Sequence, residues 1–443
     1  MIEFLRRAAQ PIFARAPSLR SFTLAVLDLA ARSVLFPFRL GRPQSNAAGA
    51  EAAAMDENVD AFNRAAERYF ADRAGQRHLL DKPFSEPDSC SRRLIDAGIL
   101  MDALRVRPGD TVLELGAGTC WLSHFLNRYG CKTIAVDVSS TALSMGRALF
   151  ERDPRTNWSL EPEFLVYDGH TLPVDEGSVE QVVVYDAYHH IPNPARLLRE
   201  LRRVLKPDGI VAMSEPGRGH AASAPSVAES TAAGVLENEL ALEDIADLAL
   251  ACGFAAARVV VSTHSPVLEI DARNLRSFMG GRGFARYWKT FCAELDAHHY
   301  ILLFAGDPRP TTRRPKRLRA RIRRIGHERT IQLGRSDGQR RVLFEVYNEG
   351  DTRWLHAENR PGWTRLGAHL YRADASRTLV DFDWLRLALP DDVAPEQSVR
   401  LTATLPAIEQ PGDYILAFDL VIEGLAWFAE RGSLSVDVRC QVI

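Results

Sequence analysis

Short apolar runs alternate with amphipathic helical patterns between about residues 95 and 305, and this alternation constrains the fold more than any other feature of the sequence. Helical patterns such as WLSHFLNRYG and ARLLRELRRVL separate several of the runs. The seven runs are TVLELGAG, KTIAVDV, EFLVYDG, VEQVVVYDA, GIVAMSEP, ARVVVST and HHYILLFAG. Because parallel strands need a crossover connection, usually a helix, the alternation predicts βαβ units. We therefore predict an α/β domain with a mainly parallel sheet.

The pattern changes after a basic stretch that contains proline, DPRPTTRRPKRLRARIRRIGHER. Beyond it, period-two runs such as RVLFEVYN, RLGAHLYR, SVRLTATLP and DYILAFDLV lie between turn signals, which predicts an all-β sandwich. We predict four segments along the chain. They are an N-terminal segment with its linker (1–55), the α/β domain (56–306), a basic linker (307–324) and the β-sandwich (325–443).

Composition excludes several classes of protein. A formal net charge of -2 provides no basic field over the chain, so we do not expect a nucleic-acid partner. The six cysteines are scattered without a CxxC pair or a Cys/His cluster, so we predict no metal site and a reduced compartment. No apolar run reaches the roughly 18 uninterrupted residues of a membrane span. The sequence thus predicts a cytoplasmic protein.

The first 45 residues carry seven arginines but only two acidic residues, and phenylalanines are interleaved with the arginines. An interfacial helix needs this composition, since its apolar face enters the headgroup boundary while arginine meets anionic lipid. A helical extension packed on the main domain is the alternative. The basic linker has the same two interpretations, an anionic lipid contact or a solvated spacer. Peripheral association with the inner membrane is therefore one expectation.

A glycine turn joins the first strand-like run to a helix. Gly116 and Gly118 lack the Cβ atoms that would block a ligand from the backbone. Asp137 ends the next strand, about 20 residues further on, where a carboxylate accepts hydrogen bonds from ribose hydroxyls. Asp137 is also placed to be the N-cap of the following helix. Trp121 stands where the dinucleotide-binding fingerprint requires a small residue, which disfavours a dinucleotide.

The ordered set of motifs from about residue 60 to 305 resembles the class I S-adenosylmethionine-dependent methyltransferases, within the subgroup that methylates small molecules and lipids. The motifs are ELGAG, VDVS, YDGHTLPVDEGSVEQVVVYDAYHHI and LRRVLKPDGIVAMSEPG. The resemblance implies a Rossmann-like fold and S-adenosylmethionine as cofactor. It implies that Glu114 and the turn Gly116, Ala117 and Gly118 line the methionine end, while Asp137 holds the ribose. The remaining implied positions are Asp168 with Gly169 beside the adenine, and Asp186 with Ala187 near the methyl donor.

Candidate catalytic residues follow the fourth and fifth strands. Methyl transfer from a sulfonium depends on positioning, and a base is needed only when the acceptor is a weak nucleophile. His189 and His190 are the best-placed titratable pair, with packing or cofactor-side hydrogen bonds as the alternative. Glu215 could orient an acceptor, act as a base or cap a loop. We expect the region from Arg218 to Glu229, with the helical pattern after it, to cover the substrate.

The C-terminal region resembles the immunoglobulin-like domains of bacterial polysaccharide-processing enzymes and the glycan-binding tail of O-antigen export transporters. Its tryptophans can form a sugar-stacking platform or a core, and we favour the core for most of them. They are Trp354, Trp363, Trp384 and Trp427. The presence of such a domain beside the methyltransferase-like domain predicts methylation of a sugar or lipid-linked glycan precursor in cell-surface polysaccharide biosynthesis. The alternatives are a small-metabolite or lipid acceptor, and a non-catalytic cofactor-binding regulator of glycan assembly.

Overall fold

The computed structural model describes residues 58–85, 87–262, 271–281, 283–334, 340–356 and 362–443. Residues 58–443 belong to one compact unit. The segment 1–55, for which a membrane-surface helix and a helical extension packed on the main domain were the two alternatives, lies outside the described residues. In the part of the chain that the structure describes, no helix has the length and apolar character needed to span a membrane.

The first domain alternates strands and helices. Its strands are β1 (Thr111–Leu115), β2 (Lys132–Asp137), β3 (Glu163–Val166), β4 (Val179–Tyr185), β5 (Leu205–Pro216), β6 (Ala256–Val259) and β7 (His298–Phe304). Its helices are α1 (Val59–Ala71), α2 (Arg77–Leu80), α3 (Pro87–Leu104), α4 (Trp121–Tyr129), α5 (Ser140–Arg152), α6 (Pro194–Val204), α7 (Ala224–Ala233), α8 (Leu242–Ala251), α9 (Leu275–Met279) and α10 (Phe284–Ala297). Each of the seven predicted strands is present.

The seven strands form one sheet in the order β3-β2-β1-β4-β5-β7-β6. Strands β1 to β5 run parallel, and β7 pairs antiparallel with both β5 and β6. The mainly parallel Rossmann-like sheet is therefore confirmed. The strand order reverses between β1 and β4, and open α/β sheets bind ligands beyond the carboxyl ends of the strands at such a point.

Burial explains the local sequence patterns. All seven residues of β4 are buried, because helices cover both faces of a central parallel strand. Helix α6 begins with Pro194 in its first turn, where no backbone hydrogen bond is lost. It buries Leu197, Leu198 and Leu201 at helical spacing and leaves its arginines outside the core.

The second domain consists of two sheets. One has the order β13-β10-β8 and the other the order β12-β11-β14-β16-β9, with β15 paired to β14. The strands are β8 (Ala320–Ile325), β9 (Thr330–Leu333), β10 (Arg341–Asn348), β11 (Thr364–Arg372), β12 (Leu379–Ala388), β13 (Ser398–Thr404), β14 (Gly412–Ile422), β15 (Ala426–Trp427) and β16 (Val436–Val442). Phe344 of β10 meets Phe418 of β14 with ring centroids 4.4 Å apart, so the sheets share one core.

Two of the four tryptophans, Trp354 and Trp384, belong to this core, and Trp427 packs against His369 on the other face of β11. Trp354 is fully buried, and Trp384 and Trp427 are nearly so. Trp363 is half-buried, and the guanidinium carbon of Arg365 lies 3.6 Å from its ring centroid. Three of the four tryptophans are therefore buried, but only two of them lie in the core, so the prediction of a core role holds for half of the set. The immunoglobulin-like topology stays a prediction.

The predicted boundary of the basic linker at residues 307–324 is wrong at its C-terminal end. Strand β8 begins at Ala320, and its buried and exposed residues alternate as they do in a strand with one solvated face. Arginine on that solvated face concealed the pattern in the sequence. Arg314 is buried, and its Nη2 lies 3.1 Å from Asp110 Oδ2 of the α/β domain. The linker is therefore anchored to the α/β domain at Arg314, and it is not a solvated spacer at this position.

Candidate active site

A cavity of about 510 Å³ lies beyond the carboxyl ends of β1, β2 and β4, at the reversal of strand order. All the predicted cofactor residues except Asp168 line it. They are Glu114, Gly116, Ala117, Gly118, Asp137, Gly169, Asp186 and Ala187. The sheet topology thus brings together residues that are far apart in the sequence.

The glycine turn between β1 and α4 requires glycine for two physical reasons. Gly116 has φ +67°, and a Cβ placed on it would lie 2.4 Å from the Cβ of Ala187. Gly118 has φ +52°, in the left-handed region that glycine adopts readily. The Gly118 N–H donates to Asp137 Oδ2 at 2.8 Å. The turn is therefore held against the next strand end with open backbone facing the cavity.

Asp137 is buried at the end of β2 and accepts two backbone hydrogen bonds. Its Oδ1 accepts from Ser139 N–H and its Oδ2 from Gly118 N–H, each at 2.8 Å. Burial raises the pKa of Asp137 above its usual value. The N-cap of α5 is Ser139, whose hydroxyl accepts from Ala142 N–H, so the N-cap alternative for Asp137 is wrong. Each carboxylate oxygen retains a lone pair with which to accept from a ribose hydroxyl.

Glu114 lines the cavity from inside the sheet. Its Oε2 accepts from the N–H of Ser123 at 2.7 Å and from the Ser123 hydroxyl. Burial raises the pKa of Glu114 from 4.5 to about 7. The contact fixes the first turn of α4, whose N-terminus follows the glycine turn.

The Asp168 side chain lies outside the lining of the cavity, contrary to its predicted place beside the adenine. It is exposed, and its Oδ1 accepts from His170 N–H at 2.7 Å and Thr171 N–H at 2.8 Å. Because the turn after β3 uses this carboxylate locally, the side chain stays with its own backbone. Gly169 does line the cavity, and a Cβ there would lie 2.3 Å from Cγ1 of Val59.

Sequence reasoning missed a whole wall of the cavity, which comes from α1, α2, α3 and the loop between α2 and α3. Its residues include Phe62, Asn63, Tyr69, Phe70, Leu79, Lys82 and Arg93. Helix α1 is held there because Glu67 accepts from the Ser139 hydroxyl at 2.7 Å and from Thr141 N–H at 3.3 Å. The pattern NVDAFNRAAERYF indicated an amphipathic helix but not what its apolar face would cover.

Glu215 occupies a different place from the one predicted. It is fully buried and does not line the cavity. Its Oε1 accepts from Ala187 N–H at 3.1 Å and Tyr188 N–H at 2.8 Å, and its Oε2 from His189 Nδ1 at 2.8 Å. The prediction that Glu215 acts directly on an acceptor is therefore wrong, because the loop after β4 saturates the carboxylate. Glu215 is instead a positioning residue that holds the loop after β4, which agrees with the alternative that it caps a loop.

The two predicted histidines differ in access to the cavity. Both lie in the short turn Tyr188–His190, but His190 lines the cavity whereas His189 is buried behind it. The Nδ1–H of His190 donates to the Leu236 carbonyl at 2.6 Å, so the Nε2 of the neutral ring carries the lone pair. Burial and the nearby His189 lower the pKa of His190 below its usual value. His190 can therefore accept a proton at the cavity.

The predicted substrate cover borders the cavity through Glu229, Val235 and Leu236. Asn238 ties this segment to the histidine turn, since its N–H donates to the His189 carbonyl at 2.9 Å. Its side-chain amide donates to the Ile191 carbonyl at 3.0 Å. Two hydrogen bonds thus join the cover to the histidine turn, and together they form one wall of the cavity.

A cluster of metal-ligating side chains lies behind this wall, contrary to the expectation from the sequence. Ligand atoms of His189, His220 and Glu237 all lie within 4.8 Å of one another. These residues come from three separate segments, the turn after β4, the loop after β5 and the segment after α7. No spacing motif in the sequence could have shown them to be neighbours.

Comparison with known proteins agrees with this site. Residues 113–213 match the family described as Methyltransferase domain. A demethylmenaquinone methyltransferase of Clavibacter sepedonicus is 34% identical over 107 residues, which are 24% of this chain and 41% of that protein. Phosphoethanolamine N-methyltransferase 2 of Caenorhabditis elegans is 29% identical over 153 residues, or 33% of each chain. The chain therefore spans less than half of either relative.

Among solved structures, an S-adenosylmethionine-dependent methyltransferase from Mesorhizobium loti is similar with a TM-score of 0.36 and 17% identity. The likeness covers 47% of this chain and 96% of that one. The family match and the site together show that residues 113–213 contain a methyltransferase domain. S-adenosylmethionine is the cofactor of that domain, and the glycine cradle with Asp137 at the strand end fits it.

Proposed function

We propose that the protein transfers the methyl group of S-adenosylmethionine to an acceptor bound in the same cavity. The observation that carries this proposal is the convergence of Glu114, the glycine turn, Asp137 and His190 on one cavity at the reversal of strand order. When bound, the cofactor supplies an activated methyl group on a sulfonium, so the protein contributes mainly positioning.

Each residue has a defined part in that positioning. Asp137 accepts the ribose hydroxyls, and Gly116 allows the cofactor to approach the backbone. Glu114 holds the start of α4 through Ser123. For a hydroxyl acceptor, His190 takes the proton on Nε2, which its Nδ1 hydrogen bond to Leu236 leaves unprotonated.

The acceptor that we propose is a sugar or a lipid-linked glycan precursor. The attached β-domain supports this choice, because it presents an aromatic group to solvent. Phe382 is 53% exposed, and its ring centroid lies 4.4 Å from that of His369, which in turn lies 4.1 Å from Trp427. Aromatic faces of this kind bind the apolar faces of sugars as well as other apolar ligands. Membrane-surface binding by the segment 1–55 would bring the enzyme to a lipid-linked acceptor.

A small metabolite or lipid is the second candidate acceptor. The names of two relatives favour it, since they are a demethylmenaquinone methyltransferase and a phosphoethanolamine N-methyltransferase. In that case the β-domain serves assembly rather than acceptor binding. Both candidates share the cofactor site, and they differ in what enters the remaining cavity and in the role of the β-domain.

The test is to incubate the full-length protein with methyl-labelled S-adenosylmethionine and separate fractions of cell glycolipid, polysaccharide, lipid and small metabolites. We expect label in a glycan-containing fraction. Label confined to the lipid or metabolite fraction would replace the acceptor with the second candidate. Cofactor binding without label in any fraction would favour a non-catalytic regulator.

Two variants make the result specific to the site. Asp137→Ala should weaken cofactor binding about 100-fold, because a buried hydrogen-bonding group is removed from the ribose. His190→Ala should keep cofactor binding and lose label transfer to a hydroxyl acceptor. A cellular phenotype that survives Asp137→Ala would contradict catalysis as the biological role.

A further inference from the structure

Three side chains that could bind a metal meet behind the wall of the cavity. His189 lies in the turn after β4, His220 in the loop after β5, and Glu237 in the segment after α7. His220 Nε2 lies 2.9 Å from Glu237 Oε2, and His189 Nε2 lies 3.9 Å from the same oxygen. Zinc bonds to nitrogen and oxygen are about 2.0–2.2 Å, so tetrahedral ligand atoms lie about 3.3 Å apart. Small side-chain movements would therefore complete the geometry.

The cluster is shielded from solvent. The exposed fractions of the His189, Glu237 and His220 side chains are 3%, 5% and 27%. Glu237 Oε2 is buried and lies 2.9 Å from His220 Nε2, although no well-aligned hydrogen bond reaches it from the residues that the structure describes. The neighbour of this buried oxygen is thus a poorly aligned imidazole, and a bound cation would compensate the carboxylate charge better.

A second carboxylate orients one of the ligands. Glu215 accepts from His189 Nδ1 at 2.8 Å, which leaves His189 Nε2 as the nitrogen with a lone pair toward the cluster. Metal-binding histidines commonly donate their other ring nitrogen to a carboxylate in this way. The Glu215 contact therefore supports metal binding independently of the three ligand distances.

We propose that His189, His220 and Glu237 bind one first-row divalent transition cation of the Zn²⁺ type. Two imidazoles and one carboxylate suit such a cation, whereas Mg²⁺ and Ca²⁺ take mainly oxygen ligands. Three protein ligands leave a coordination position for water or an acceptor oxygen. The site borders the cavity, because His190 and Leu236, the chain neighbours of two ligands, both line it. The proposal does not depend on methyl transfer.

The alternative for the same residues is an ion pair between His220 and Glu237 that holds the cover in place. Ser226 Oγ, 3.2 Å from His220 Nε2, would then share that nitrogen. An ion pair needs no cation and gives no metal spectrum. The two alternatives therefore differ in a measurement that requires no knowledge of the acceptor.

The experiment is titration of the chelator-treated full-length protein with Co²⁺, without S-adenosylmethionine, followed by visible absorption and by competition with Zn²⁺. We expect one equivalent to bind with the absorption bands of low-coordinate Co²⁺. His220→Ala and Glu237→Gln should each weaken binding at least about 100-fold, and Glu215→Gln about 10-fold. His327→Ala, at an exposed position in the β-domain, is the matched control and should bind as the wild type does.

S-adenosylhomocysteine binding shows whether each variant is folded, so a loss of metal binding can be separated from a loss of structure. The proposal is overturned if the wild type binds no Co²⁺, or if Glu237→Gln and His220→Ala bind it as tightly as the wild type. Because methyl transfer is not measured, a wrong acceptor or an inactive methyltransferase leaves this result unaffected.

Discussion

The two domains bury different kinds of side chain. The α/β domain places charged or titratable groups inside, beside the carboxyl ends of its strands, and these include Glu114, Asp137, His189 and Glu215. The β-domain fills its core mainly with large apolar groups, which include Trp354, Phe344, Phe418 and Phe428. Burial of charge opposes folding unless hydrogen bonds compensate for it. The buried charged groups of the α/β domain therefore reduce its stability but form a site. The buried apolar groups of the β-domain stabilise the protein.

Asp419 shows why a buried carboxylate alone does not mark a site. In the β-domain it accepts from Leu420 N–H at 2.8 Å and Ala429 N–H at 2.9 Å, as Asp137 accepts from two backbone groups. Burial raises the pKa of Asp419 to about 6. Asp419, however, does not line the cavity at the glycine turn. What distinguishes Asp137 is the open space beside it.

The largest effect should come from Trp354→Ala. The side chain is fully buried and packs edge-on against Phe428 at 5.5 Å between ring centroids, so its removal leaves a large void. We expect a loss of about 4 kcal/mol in the free energy of unfolding, measured by urea denaturation. Binding of S-adenosylhomocysteine to the remaining folded protein should not change.

Trp354→Phe is the control for the chemistry of that side chain, because it keeps a ring and removes an indole N–H that has no hydrogen-bond partner among the described residues. We expect a smaller loss of stability than for alanine. If Trp354→Ala instead abolished cofactor binding in folded protein, the division between a stabilising and a functional domain would be wrong.

Arg314→Met should have the next largest effect, because it breaks the buried pair that joins the linker to the α/β domain. Asp110 would keep its hydrogen bond from Arg107 N–H at 3.0 Å, so the carboxylate is not wholly unsatisfied. We expect a loss of about 2 kcal/mol in urea denaturation. The exposed Arg321→Met control should change stability by about 0.5 kcal/mol or less.

The double variant Asp110→Asn with Arg314→Met sharpens this test, since it removes the carboxylate charge that the single variant leaves buried. It should recover part of the lost stability. Equal effects of Arg314→Met and Arg321→Met would mean that the buried pair does not couple the domains.

Glu114→Gln should show its effect as a change in the pH dependence of stability rather than as a loss of stability at one pH. Because the folded pKa of Glu114 is about 7 and the ordinary value is 4.5, the wild-type protein retains this proton over a range in which the unfolded chain loses it. Ionisation of Glu114 therefore makes the free energy of unfolding fall as pH rises from about 4.5 to about 7. The slope is at most about 1.4 kcal/mol per pH unit.

Glutamine has no such proton to lose and can still accept from Ser123. The stability difference between variant and wild type should therefore grow in favour of the variant over that range, as followed by urea denaturation at several pH values. Parallel pH profiles for the two proteins would show that Glu114 ionises normally. Burial of Glu114 would then cost the α/β domain little stability, and the two domains would differ less in the energetics of their buried side chains.

Local patterns were sufficient to predict much of the fold and part of the site. The runs around β1 to β7 identified every strand of the α/β sheet, because parallel central strands read as continuous apolar segments. The strand-end positions of Asp137 and Gly116 predicted their meeting at one edge. Strand β8 was missed because arginine on its exposed face resembles a solvated linker, and α1 was identified as a helix without its place in the cavity wall.

By itself, the sequence determined the α/β class, the glycine turn and the strand-end aspartate, since each depends on short-range periodicity or on a steric requirement of one residue. Only the tertiary structure decided the roles of Glu215 and Asp168 and the meeting of His189, His220 and Glu237. Those depend on which atoms lie within hydrogen-bonding distance across separate segments, and chain spacing does not encode such distances. The fold turns Glu215 toward the backbone of the neighbouring loop, which makes it a positioning residue.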